Sequence, residues 1–139
     1  MRAFEALSRD LAADDPLLAA ALVSDPTGEG EAPVALATGP GTERAASDYS
    51  YGLEAIREGH LLHWGSARFL STDDADLALL AGDRLYAAGL ERIAALGDSQ
   101  TITELSGLIM AAATAQAEGL PAAAEAVWDA SCARIGAGS

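Results

Sequence analysis

The chain has 139 residues, the length of a single domain, and half of them are hydrophobic, which is enough to bury a substantial core. Its formal net charge is −13, from 21 acidic residues and 8 basic residues, all of them arginine. This composition excludes the basic surface that neutralises phosphates in a nucleic-acid-binding protein, and it disfavours contact with anionic lipid headgroups.

The cysteine content and the N-terminus indicate a reducing compartment. Cys132 is the only cysteine, so an intramolecular disulfide is impossible, and we interpret Cys132 as a small buried residue near a helix end. Residues 1–10 contain Glu5 and Asp10 and lack the apolar core of a signal peptide. Because no apolar run approaches the roughly 20 residues that span a bilayer, we expect a cytoplasmic protein without a membrane span.

Composition and periodicity predict an all-α fold. Alanine and leucine dominate the apolar residues, whereas β-branched residues are sparse. Phe4, Leu7 and Leu11 recur at helical spacing and predict a helix over residues 2–13, while Pro16 suits the first position of another. Residues 1–24 are therefore predicted to form short helices.

Proline and glycine are concentrated in residues 25–47. This composition is typical of an irregular segment, and we interpret residues 25–47 as a linker. Val34–Ala37 is the one stretch within it that we expect to be extended.

Four longer helices are predicted in a core domain over residues 48–139, and their short connections favour an antiparallel bundle within one globular unit. They begin at Ser47 or Asp48, Asp73, Asp98 or Ser99, and Pro121, and they end at Trp64, Leu96, Glu118 and Ile135. Glycines at positions 65, 97 and 119 follow three of these ends, as is common at helix C-termini. Residues 136–139 are expected to form a frayed tail.

The acidic run Asp73–Asp76 has two interpretations. Carboxylates favour the positive end of a helix dipole, so we interpret the run as a solvated helix start. A docking patch for a basic partner is the functional alternative.

The helix predicted over residues 73–96 carries the clearest packing signal. Gly82 and Gly89 lie seven residues apart, and each costs about 1 kcal/mol relative to alanine in a helix interior, so we expect a partner helix to approach closely. Asp83 falls within the apolar stripe, where a carboxylate needs a hydrogen bond or an ion pair. The stripe comprises Leu79, Tyr86, Leu90 and Ile93. The dimer-interface candidates are Gly82, Asp83, Tyr86, Gly89, Leu90 and Ile93.

His60 and His63 lie three residues apart on the preceding helix and thus on neighbouring positions of one face. Two imidazoles make only half of a metal site, and Glu54 and Glu58 do not complete an obvious ligand set. We therefore predict no metal and no cofactor. A histidine pair that packs in the core or lines a cavity is favoured, and contact with a ligand stays open.

The run Leu79–Ala87 is similar to the Leu-Ala-Gly-Asp segment of trans-isoprenyl (polyprenyl) diphosphate synthases. The preceding helix resembles the family as well, because Glu54 is followed by Leu61-Leu62-His63. The resemblance covers about residues 49–119. It implies an antiparallel bundle resembling the core helices of the isoprenoid synthase fold.

The catalytic motifs of that family are missing from this chain. Where the family carries Asp-Asp-x-x-Asp, residues 64–68 read Trp-Gly-Ser-Ala-Arg. Ionisation of an allylic diphosphate needs Mg²⁺ held by carboxylates, which stabilises the charge that develops on the leaving group. The resemblance therefore implies a protein that is not an enzyme.

The sequence supports two main functional hypotheses. The first is a non-catalytic scaffold or regulatory subunit, either a homodimer or a heterodimer with a helical partner such as a full-length prenyl synthase. The second is a binding protein for a small apolar molecule, an isoprenoid or a quinone, held between helices. Its candidate lining residues are Leu61, Leu62, His63, Trp64, Tyr86 and Met110. Relocated catalysis by Asp83 with His60 and His63 is a less supported third hypothesis.

Overall fold

The computed structural model describes residues 1–138, which form six α-helices and two short 3₁₀ helices. The α-helices are α1 (Ala3–Asp14), α2 (Pro16–Ala20), α3 (Ala46–Trp64), α4 (Ala75–Ala94), α5 (Ser99–Ala117) and α6 (Pro121–Ala137). The 3₁₀ helices span Val34–Ala37 and Glu43–Ala45. The predicted all-α helical bundle is confirmed.

Helix α3 lies at the centre of the bundle. Every residue from Tyr51 to His60 is buried, so this stretch of α3 has no solvent-facing side. The sequence of the stretch is not uniformly apolar, because it includes Glu54, Arg57 and Glu58. Since buried charges require partners, the neighbouring elements must supply them.

Helix α4 packs antiparallel against α3 through paired glycines. A methyl group on Gly89 would lie 2.6 Å from the carbonyl oxygen of Gly52, and one on Gly59 would lie 2.9 Å from the carbonyl oxygen of Gly82. The two backbones therefore approach too closely for a side chain at these positions. The partner helix predicted from the glycine spacing is α3 of the same chain.

Two hydrophobic clusters flank α3. The larger cluster joins α3 to the hairpin of α5 and α6, and Trp128 is its largest fully buried side chain. The N-terminal cluster joins α1 and α2 to α4 and to the segment after α3, with Leu7, Phe69 and Leu85 at its centre. The N-terminal helices thus pack directly on the central bundle.

The segment over residues 25–47 also packs against the bundle. Val34–Ala37 forms a 3₁₀ helix, so the extended stretch expected there is wrong. Val34 and Ala37 are buried in the larger cluster, and their 3₁₀ helix lies against α6. Glu29 caps α1, because its carboxylate accepts hydrogen bonds from the first backbone N–H groups of that helix at 3.2 and 3.1 Å.

The end of α6 is held by the same segment. The backbone N–H of Gly41 donates to the carbonyl oxygen of Gly136 at 2.8 Å. A methyl group on Gly136 would lie 2.6 Å from the carbonyl oxygen of Leu36. The helix continues to Ala137, so the expected frayed tail is wrong up to position 138. Ser139 lies outside the described residues.

The buried face of α4 is displaced by about one position from the predicted stripe. It comprises Ala81, Gly82, Leu85, Gly89 and Ile93. The Asp83 side chain is 75% exposed and Leu79 is 53% exposed, so the placement of Asp83 within the apolar face is wrong. Because α3 fits onto the glycines, they occupy the centre of the contact. The next residue, Asp83, is rotated by about 100° toward solvent.

The helix starts agree with the sequence in part. Asp98 caps α5 as predicted, since its carboxylate accepts the N–H of Thr101 at 3.0 Å. Helix α3 begins at Ala46 without a side-chain cap, so the expected cap at Ser47 or Asp48 is wrong. Helix α4 begins two residues later than predicted, with Asp74 as its cap.

Candidate functional site

The buried charges of α3 form an ionic network with the segment that follows this helix. The Glu58 carboxylate accepts hydrogen bonds from the backbone N–H groups of Arg68, Phe69 and Leu70 at 2.8, 2.7 and 3.1 Å. The Arg68 guanidinium donates to Glu58 at 3.1 Å and to Glu54 at 2.7 Å. The second oxygen of Glu54 accepts a backbone N–H from the loop over residues 25–47 at 2.7 Å. All four carboxylate oxygens are therefore engaged within the chain.

A second buried cation pairs α3 with α6. Arg57 forms a bidentate ion pair with Glu125, with N–O distances of 2.7 and 2.6 Å. The hydrogen bond from Arg57 lowers the pKa of Glu125. The same guanidinium lies 5.0 Å from the ring centre of Trp128, within the range of a cation–π contact. Among the described residues, nothing accepts a hydrogen bond from the Trp128 indole N–H.

The two histidines of α3 turn toward different helices. His60 is buried and meets Trp128 of α6 edge-on, with 5.6 Å between ring centres. His63 lies 3.2 Å from the carbonyl oxygen of Leu79 of α4, and its ring meets Tyr86 at 5.3 Å. Their imidazoles therefore do not converge on one ligand.

We expect the stability of the fold to decrease as pH falls from 7 to 5 because of His60. Burial, reinforced by the charge of Arg57, lowers the pKa of His60 from 6.5 to about 4, while Glu125 opposes the shift. The unfolded chain binds a proton at this residue below pH 6.5, whereas the folded chain does so only near pH 4. The free energy of unfolding should therefore fall by about 1–2 kcal/mol over this interval.

Urea unfolding at a series of pH values measures this effect. His60→Gln should remove most of the pH dependence between 7 and 5, and His63→Gln, the matched control, should retain it. An unchanged slope in His60→Gln would assign the titration to another group.

The candidate lining residues of an apolar cavity, Leu61, Leu62, His63, Trp64, Tyr86 and Met110, lie in different surroundings. Leu62 packs against the N-terminal cluster, whereas Tyr86 packs against the larger cluster. Trp64 and Met110 are exposed, the latter on α5, and Leu61 is half-buried. The structure brings His63 and Tyr86 together and does not gather the six around one cavity.

The dimer-interface candidates, Gly82, Asp83, Tyr86, Gly89, Leu90 and Ile93, mostly face α3 of the same chain. Gly82, Gly89 and Ile93 are buried in this contact, and a methyl group on Gly82 would collide with the His63 ring. Tyr86 and Leu90 are half-buried against the larger cluster, and Asp83 alone is exposed. A second chain could reach these glycines only by displacing α3, so intrachain packing replaces the expected dimer contact there.

Large exposed apolar side chains occur on α2, on the last turn of α3 and on the first half of α4. Leu17 is 63% exposed, Leu80 is 64% exposed and Trp64 is 42% exposed. Trp64 directly follows His63, which contacts exposed Leu79. We call Leu17, Trp64, Leu79 and Leu80 the apolar surface. Isolated exposed leucines are ordinary, but several on adjoining elements mark an interaction site.

A groove of about 500 Å³ opens between α2 and α4 within this surface. We call it the α2–α4 groove, and it is lined by Asp14, Asp15, Leu18, Leu77, Leu80, Asp83 and Arg84. Arg84 forms an ion pair with Asp14. The rim therefore carries a net negative charge from the remaining aspartates.

A larger cleft of about 770 Å³ lies between the start of α5 and the end of α6. Arg134 pairs with Glu104 at 2.5 Å, and Arg44 lies 3.4 Å from Asp98. The hydrogen bond from Arg134 lowers the pKa of Glu104. This cleft was not predicted from the sequence, because its charged residues come from three separate parts of the chain and belong to no motif. Its charges cancel, so it has no evident preference for an anion or a cation.

Residues 1–138 contain no group of three or more His, Cys, Asp and Glu side chains arranged to hold a metal ion. Over the same residues, each helix is too short or too polar to cross a lipid bilayer. Comparisons with protein families, with characterised proteins and with solved structures found no match to this chain. The resemblance to trans-isoprenyl diphosphate synthases thus stays a prediction, and the geometry carries the functional argument.

Proposed function

We propose that this chain is a helical interaction protein, a scaffold or regulatory subunit without chemistry of its own. The observation that carries the proposal is the apolar surface, where large side chains are exposed on three adjoining elements. Full burial of one such side chain is worth about 1.5–3 kcal/mol. A protein partner that covers the apolar surface would provide this burial.

The ionisable residues of the interior support a role without catalysis. Glu54, Glu58 and Arg57 are buried and bonded to groups of the chain itself, whereas a general acid or base must reach a substrate. Burial raises the pKa of the Cys132 thiol to about 12, which disfavours the thiolate that a nucleophile requires. The contacts of these residues within the fold account for their presence in the interior.

The resemblance to prenyl diphosphate synthases suggests two partners, a second copy of the chain or a full-length synthase. Because α3 covers the glycine face of α4, either partner would bind at the neighbouring apolar surface. The alternative of an apolar small-molecule ligand has less support, because its candidate lining residues are dispersed.

The test compares three proteins: the wild type, Leu79→Ser/Leu80→Ser, and the control Met110→Ser. Met110 is equally exposed but lies on α5, so it leaves the apolar surface intact. Each protein is examined by light scattering for self-association and by quantitative mass spectrometry of proteins retained from a cell extract. A retained protein is then purified and mixed with each variant.

We expect the wild type and Met110→Ser to form the same complex from purified components, and the double variant to bind at least about tenfold more weakly. The substituted side chains are exposed, so the free energy of unfolding should change by less than about 0.5 kcal/mol per site. A wild type that stays monomeric and retains nothing that the double variant loses would contradict the proposal.

A further inference from the structure

We infer that the α2–α4 groove receives a basic amphipathic helix of a partner protein. The inference rests on the proposed function and adds the chemistry of the partner. It is carried by the combination of an apolar floor and an acidic rim in one groove.

The floor of the groove suits the apolar face of a helix. Leu18 is buried on α2, and Leu77 and Leu80 lie three residues apart on α4, with Leu80 mostly exposed. An apolar groove between two helices is the kind of surface into which an amphipathic helix lays its apolar face. Its volume of about 500 Å³ is within the range of sites that receive several apolar side chains.

The charged residues at the rim of the groove determine which charge a partner helix must carry. Asp15 is held at the start of α2, where its side chain accepts the N–H of Leu17 at 2.7 Å. Asp83 is exposed on the opposite side. With Asp14 paired to Arg84, Asp15 and Asp83 leave the rim with a net negative charge. Arginine and lysine that flank an apolar stripe would complement this rim, which raises the association rate and makes binding sensitive to salt.

A second copy of the chain does not fit this groove. An isologous contact would place the acidic rim opposite itself, and each chain carries a net charge of −13. An anionic lipid surface is disfavoured for the same reason. Within the acidic run, the Asp74 carboxylate caps α4, as a helix start requires, so the charge of the rim comes from Asp15 and Asp83.

The probe is a labelled 18-residue peptide with leucines at helical spacing on one face and lysine or arginine elsewhere. A charge-reversed peptide keeps the leucines and carries glutamate in place of the basic residues. Fluorescence anisotropy measures binding to the wild type, to Leu80→Ser and to Asp15→Asn/Asp83→Asn. The control is Glu118→Gln/Asp129→Asn, which removes the same charge from exposed positions of the α5–α6 hairpin. Asparagine at position 15 still caps α2, so the charge change leaves the helix intact.

The basic peptide should bind the wild type at least about tenfold more tightly than the charge-reversed peptide, and higher salt should weaken it. Leu80→Ser should weaken binding about tenfold and the aspartate variant about threefold to tenfold, with no change in the control. Equal binding of both peptides, or equal effects of the two charge variants, would overturn the inference. If the basic peptide fails while a Leu79/Leu80-dependent complex exists, the partner chemistry is wrong and the proposed function stands.

Discussion

Glu58→Gln is expected to lower the free energy of unfolding by about 2–4 kcal/mol, because it removes one of the two carboxylates that pair with Arg68 and leaves buried donors without an acceptor. The carboxylate accepts three backbone N–H groups and the Arg68 Nε–H. Glutamine has nearly the same volume and its amide oxygen can still accept backbone N–H groups, but its NH₂ group is a donor and cannot accept the Arg68 Nε–H. Arg68 would keep only Glu54 as a charged partner.

Urea denaturation at pH 7 measures this loss, with Glu118→Gln as the matched control. Glu118 is exposed at the end of α5, so its substitution should change the free energy of unfolding by less than about 0.5 kcal/mol. Arg68→Gln added to Glu58→Gln should cost much less than the sum of the two single substitutions, because both remove the same network. A loss below about 1 kcal/mol in Glu58→Gln would mean that the buried pair contributes little.

The helices could be predicted because their signals are local. All six were predicted from apolar spacing, caps and breakers together: Pro16 and Pro121 opened two of them as expected, and Asp98 caps α5. These preferences act within one or two turns and are readable without knowing what lies beside the helix. The 3₁₀ helix at Val34–Ala37 was not predicted, because its conformation depends on burial against α6, which is distant along the chain.

The orientation of α4 was predicted incorrectly for a physical reason. An apolar stripe centred on Leu79 and Tyr86 is the expected buried face when side chains make the contact. Here backbone atoms make the contact, so the glycines define the buried face and Leu79 is exposed. Gly82 and Gly89, which were predicted as dimer-interface residues, face α3 of the same chain in consequence.

The candidate site could not be predicted from local sequence patterns either. Arg57 and Glu125 are 68 residues apart, and the α2–α4 groove joins residues separated by a comparable stretch of chain. Such pairs appear only when the tertiary packing is known. The leucines of α2 and the helix over residues 73–96 were visible in the sequence, but the groove that they form together was not.

Arg68 links the interior network to the proposed loss of catalysis. If the chain is compared with trans-isoprenyl diphosphate synthases, Arg68 occupies the position of the last aspartate in their metal-binding motif. In this fold its guanidinium pairs with both Glu54 and Glu58 of α3. The segment that contains Arg68 is thus fastened to α3 by ion pairs and by backbone hydrogen bonds to Glu58.

Gly89→Ala is expected to lower the free energy of unfolding by about 2–3 kcal/mol, because its methyl group would meet backbone atoms of α3. The methyl carbon would lie 2.6 Å from the carbonyl oxygen of Gly52 and 2.7 Å from Ile56 Cγ1. The methyl group could be accommodated only if α3 and α4 moved apart along their whole contact. The gain in helix propensity, about 1 kcal/mol, offsets only part of this cost.

Gly107→Ala is the matched control and should have the opposite sign. Gly107 is exposed in the interior of α5, and a methyl group there has no neighbouring atom within 4 Å. The substitution should therefore stabilise the fold by about 0.5–1 kcal/mol through helix propensity alone. Thermal and urea unfolding of both variants measure the two changes in the free energy of unfolding. If Gly89→Ala were as stabilising as Gly107→Ala, the close approach of α3 and α4 would be refuted, and the glycine face of α4 would again be available to a second chain.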